Sequence, residues 1–189
     1  TGEEITNPGY HLLGIGIERR VPTDLTAAQA IDAVHRQDGV AIAAHPYRGM
    51  WPAYDEGAMR VLDAAEIVRP ETPHWPEGAA DLREFSARAS LAAIGSSDYH
   101  GAGLIGYSRT LVFARERTAA GVLAAIRERR TVVFDGDRVY GDPEFVRLAA
   151  DAGLRTSFPE LPVPGGWRLF SRAAAVLGLL TLVLLRRTA

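Results

Sequence analysis

The 189-residue chain contains no cysteine. That excludes disulfide bonds, thiol nucleophiles and structural zinc held by thiolates, though it does not fix a compartment. Histidine is scarce as well: the five stand at 11, 35, 45, 74 and 100, and no two are separated by a single residue. An excess of either charge is missing, since 21 Lys and Arg face 23 Asp and Glu for a formal net charge of −2. No electrostatic footprint therefore argues for nucleic acid. Internal repeats and low-complexity tracts are absent. The only methionines are Met50 and Met59, and the first residue is Thr1. What is present is ordinary for a globular protein, with 47% hydrophobic and 23% charged residues and one domain as the default at this length.

Two segments carry chemistry. Ala44-His45-Pro46-Tyr47-Arg48 follows the apolar run Val40-Ala41-Ile42-Ala43, and Gly95-Ser96-Ser97-Asp98-Tyr99-His100 follows Leu91-Ala92-Ala93-Ile94. A short apolar run after a helical pattern reads as a buried parallel strand. Parallel α/β folds place their chemistry at the carboxyl ends of such strands. In extended backbone, Asp98 and His100 point to one side and can reach one metal or one bound water. The start of the chain adds Glu4, expected at a strand end, and His11, expected to open the next strand. Together His11, His45, His100, Glu4 and Asp98 make a nitrogen and oxygen donor set that suits Zn, Mn or Fe.

The rest of the chain alternates helix and strand. Thr26 predicts a helix cap, with the helix running to His35 and Gly39 at its exit. A strand over 40–44 follows, then a loop with Gly49, Pro52 and Gly57, a helix near 57–63 and a strand over 64–68. The four residues Pro70, Pro73, Pro76 and Gly78 predict a loop over 69–78. A helix over 79–89 precedes the strand that ends at Ser96, and residues 101–108 read as a loop beside the site. Strand 110–114, a helix over 118–129 capped by Thr118, and strand 131–134 complete the pattern. Repeated strand-then-helix order predicts a parallel sheet or barrel.

The order Gly2-Glu3-Glu4-Ile5-Thr6, His11-Leu12-Leu13-Gly14-Ile15-Gly16, Ala44-His45-Pro46 and Ser97-Asp98-Tyr99-His100 resembles the polymerase and histidinol phosphatase (PHP) domain family. The stretches 34–39 and 109–126 are similar to it as well. The resemblance implies a distorted seven-stranded (β/α) barrel with two or three divalent metal ions (Mn, Zn or Fe) at its carboxyl end. It also implies that Glu4, His11, His45, Asp98 and His100 are metal ligands. By chemistry alone Glu3 and Glu4 are equal; the family spacing selects Glu4. The family's site opens with a His-x-His pair that this chain lacks. The expectation is therefore a barrel with its N-terminal strands missing, the chain being the C-terminal part of a longer protein. A degenerate member that has lost its early ligands is the other account. Such a barrel could not close.

The implied activity is a metal-dependent phosphoesterase that cleaves a small phosphate ester or nucleotide with metal-activated water. Asp98 and His100 would be its catalytic pair. A non-catalytic metal-binding or scaffold module, and a hydrolase of a non-phosphate ester or amide, are the alternatives. Arg48 either binds substrate phosphate through its planar fork or sits in a surface ion pair. Glu66 would contact substrate or support a ligand, His35 is expected to be structural, and His74 falls in the Pro-rich loop. In domain terms, the reading is a PHP-like domain over 1–157, a Pro/Gly linker over 158–166 and a transmembrane helix over 167–187. The apolar stretch Ala173 to Leu185 spans about 20 Å as helix, and ~28 Å when extended to Trp167, against the roughly 30 Å of a bilayer core. That predicts a membrane-anchored protein; arginines flank both ends of the segment and leave its orientation open, Arg186-Arg187 favouring an internal C-terminus and with it a catalytic domain outside the cytoplasm.

Overall fold

The chain opens on an antiparallel hairpin of β1 (Gly2–Asn7) and β2 (Tyr10–Ile15). Only Pro8 and Gly9 separate the two strands, too few for a parallel crossover. The Asn7 side chain accepts the Gly9 backbone N–H at 2.8 Å, an Asx turn that fixes the reversal. This computed structural model describes residues 1–68, 78–98, 106, 108–135 and 138–154. The chain divides into two units, Thr1–Ser157 and Phe158–Ala189. All described residues lie in the first.

After β2 come α1 (Ala27–His35), β3 (Val40–Ala43), a 3₁₀ turn over Arg48–Ala53 and α2 (Glu56–Val61). Then follow β4 (Ala64–Val68), α3 (Gly78–Ala87), β5 (Ala92–Gly95) and β6 (Ser108–Val112). The last elements are α4 (Ala119–Arg127), β7 (Thr131–Asp135), β8 (Arg138–Gly141) and α5 (Pro143–Asp151). Thr26 caps α1 in a reciprocal capping box with Gln29, which satisfies two backbone N–H groups that the first helical turn leaves open. The sequence reading missed β8, α5 and the 3₁₀ turn.

Among the described residues the strands form two sheets, one in the order β1-β2-β3-β4-β5 and one in the order β6-β7-β8. Only β3, β4 and β5 run parallel; β1, β2 and β3 pair antiparallel, as do all three strands of the second sheet. The architecture is thus a mixed α/β fold of two sheets, in place of the expected distorted (β/α)7 barrel with a C-terminal transmembrane helix. The two-residue connection at 8–9 imposes a hairpin where a barrel needs a crossover, and β7 and β8 pair antiparallel as well. No helix among the described residues is long and apolar enough to cross a membrane. The segment expected to do so, 167–187, lies outside the described residues.

All residues of β3 and β4 are buried, as expected of parallel strands covered on both faces. Alternation divides them. Ala41 and Ala43 join Ile31 and Val34 of α1 and Phe85 of α3 in one core cluster. Val40 and Ile42 join Ala92 and Ile94 of β5 and Ile126 of α4 in a second. The two sheets meet at β5. Thr110 of β6 places its hydroxyl 2.9 Å from the Gly95 N–H and 3.1 Å from the Gly95 carbonyl. A Cβ at Gly95 would lie 2.5 Å from Val133 Cγ1, so only glycine allows this approach. Beyond it the chain runs to Asp98.

Candidate metal centre

Three of the predicted ligands converge. One donor atom each from Glu4, His11 and His45 lies within 4.8 Å of the other two. The hairpin explains the first pair. Glu4 pairs with Leu13 and Thr6 with His11, so Glu4 and His11 are diagonal neighbours on one face, within reach of long side chains. Glu3 points the other way, where it accepts the Val21 N–H and meets Arg20. Strand alternation thus separates two carboxylates that are chemically equal. Glu4 lies within β1 and not at a strand end, a correction that follows from the hairpin.

The third ligand arrives through register. Because β2 runs antiparallel to β3, its amino end lies beside the carboxyl end of β3. Leu12 pairs with Ala43, and the Ala44 N–H reaches the His11 carbonyl at 3.0 Å. His45 follows with φ at 30°, and among the described residues Asp98 is the other predicted ligand in the left-handed region, at 41°. Such backbone costs on the order of 1–3 kcal/mol and clusters at functional sites. The value at Asp98 also corrects the expectation of extended backbone there, since β5 ends at Gly95. His100 and His74 lie outside the described residues.

His11 Nδ1 stands 2.9 Å from His45 Nε2 and 3.0 Å from Glu4 Oε1. That nitrogen carries at most one proton and cannot serve both neighbours with a full hydrogen bond. A divalent cation would give all three lone pairs a common partner. Tetrahedral ligands about 2.0–2.2 Å from a metal stand ~3.3 Å apart, close to both distances. The donor set, without sulfur, suits Zn, Mn or Fe. Burial lowers the pKa of His45, but the carboxylates of Glu66, Asp98 and Glu4 outweigh it and hold the value above the usual histidine range.

Two residues support this cluster from behind. The Tyr54 hydroxyl donates to the His11 carbonyl at 2.5 Å, and its ring stacks edge-on against Phe85 at 5.1 Å and Tyr10 at 5.8 Å. Sequence reasoning missed Tyr54 because it stands in a Gly- and Pro-containing stretch with no periodic signal. Glu66 lies within β4, 3% exposed, and accepts the His45 backbone N–H at 2.8 Å. Arg48 is elsewhere engaged: it bonds Asp81 at 3.0 Å and Glu84 at 2.9 Å and stacks over Trp51. The ion-pair alternative is the one the structure displays. His35 meets Asp63 at 2.8 Å.

Residues 82–131 match the PHP-associated family. The fold of the chain is similar to that of a two-domain Bacteroides vulgatus protein containing a predicted PHP-like metal-dependent phosphoesterase, with a TM-score of 0.53 and 18% identity over 75% of this chain and 45% of that one. It is also similar to PsfC from Pseudomonas syringae, with a TM-score of 0.52 and 16% identity over 81% of this chain and 63% of the other. The chain thus spans roughly half to two thirds of the length of these two structures. No curated protein matches its sequence.

Proposed function

We propose that this chain carries a PHP-type domain that is a metal-dependent hydrolase, and within that class a phosphoesterase acting on a small phosphate ester or nucleotide. The observation that carries the reading is the convergence of Glu4, His11 and His45 donor atoms within 4.8 Å. Glu4, His11 and His45 would hold the ion, with Asp98 and His100 completing the set that the family resemblance implies. A divalent ion there supplies an acidified water and positive charge against the phosphoryl oxygens. The chain's own part is to present neutral imidazoles and carboxylates in a fixed array. Asp98 contributes negative charge felt at His45 and is suited to orient the attacking water.

The test is phosphate release from p-nitrophenyl phosphate with Mn²⁺ and with chelator, in the unaltered protein and in His45→Ala. Release that needs Mn²⁺ and is lost in the variant is the expected result. Release that survives both chelator and substitution would overturn the proposal. Mn²⁺ binding without phosphate release would favour the metal-binding module, and cleavage of p-nitrophenyl acetate instead would favour a carboxylic ester hydrolase.

A further inference from the structure

We propose that Glu66 is the positioning residue of this centre: its carboxylate fixes His45 so that Nε2, and not Nδ1, is offered to a cation. The inference rests on the metal-centre reading above. Glu66 is the one charged residue of β4, between the buried apolar pairs Ala64-Ala65 and Ile67-Val68. Burying a carboxylate there is costly unless it is hydrogen-bonded. Its partner is the His45 backbone N–H, at 2.8 Å from Oε2. That bond falls on a residue whose φ of 30° needs an external restraint to persist.

The same carboxylate divides the two ring nitrogens of His45. Oε2 lies 3.7 Å from Nδ1, whereas Nε2 lies 2.9 Å from His11 Nδ1. At 3.7 Å the ring contact is electrostatic and not a hydrogen bond. The backbone bond therefore carries the positioning, and the charge selects the tautomer with hydrogen on Nδ1. A ligating imidazole commonly turns its other N–H towards a carboxylate, and outer partners of this kind hold the ring and raise its basicity. Both side chains are nearly inaccessible, at 10% and 4% exposure, so bulk water does little to screen this arrangement.

The test compares Glu66→Gln with the unaltered protein by calorimetric titration with Mn²⁺ and by thermal melting without metal. The amide keeps side-chain length and an acceptor oxygen for the His45 N–H, but removes the charge. Mn²⁺ affinity should fall about 10–100-fold. A merely structural Glu66 would lower the melting temperature and leave the affinity unchanged, and equal affinities would overturn the proposal. Should Glu66→Gln fail to fold, ¹⁵N spectra of the unaltered protein loaded with Zn²⁺ decide. Hydrogen on His45 Nδ1 with Nε2 ligated is expected; the reverse tautomer would overturn it. Failure of the unaltered protein to bind either metal would instead remove the metal-centre reading, and the role of Glu66 with it.

Discussion

Replacing Gly95 by alanine tests the point where the second sheet meets the strand leading to Asp98. The added Cβ would stand 2.5 Å from Val133 Cγ1, 3.3 Å from the Arg109 carbonyl oxygen and 3.4 Å from the Arg109 nitrogen. Carbon atoms in contact prefer about 3.5–4.0 Å, so the clash with Val133 is on the order of 1 Å. Val133 is fully buried in the second sheet and cannot swing into solvent. Overpacking of this kind costs about 1–3 kcal/mol, or roughly 2–4 °C of melting temperature per kcal/mol for a chain of this size. Val133→Ala removes the offending methyl groups. Alone it should cost about 2 kcal/mol through lost burial, but combined with Gly95→Ala the costs should fall short of additive by at least ~1 kcal/mol. Urea unfolding of the two single variants and the double variant completes the cycle. A cost below about 0.5 kcal/mol for Gly95→Ala, or strict additivity, would refute the reasoning.

Two further outcomes follow from the same geometry. Asp63 Oδ2 accepts from His35 Nε2 and from the Ala41 N–H, both at 2.8 Å; Asp63→Ala should destabilise the protein by about 1–3 kcal/mol while leaving Mn²⁺ affinity unchanged, and a selective loss of binding would show that His35 serves the centre. The raised pKa of His45 makes metal-free stability fully present below the unfolded value of about 6.5 and lost as pH rises through the higher folded value. Ligation needs the neutral ring, so Mn²⁺ affinity runs the other way and should start to weaken above pH ~6.5 on acidification. Affinity measured across that range would contradict the assignment if it stayed flat.

The buried strands and the helices other than α5 were legible in the residues themselves. Thr26 with Gln29, and Thr118, mark helix starts through short-range bonds that depend only on neighbours three residues away. Runs such as Val40–Ala43 and Ala64–Val68 are apolar at every position but one, Glu66, which is enough to mark strands covered on both faces. The ligand candidates His11 and His45 could likewise be named from residue type and order, whereas Glu4 was singled out over Glu3 by the family resemblance alone.

Pairing direction was not legible, and with it the architecture. A barrel and a two-sheet fold share the same order of elements; what separates them is which strand edges meet, a choice made by contacts far apart in sequence. The hairpin 2–15 turned Glu4 and not Glu3 towards His11, and the antiparallel register of β2 on β3 brought His45 to the same point. Arg48, a phosphate-binding candidate by type, was claimed by Asp81 and Glu84 from α3, more than thirty residues away. Residue chemistry by itself thus determined which groups could ligate. Only the tertiary structure decided which of them share a centre, because side-chain direction follows from strand pairing and strand pairing from the packing of the whole core.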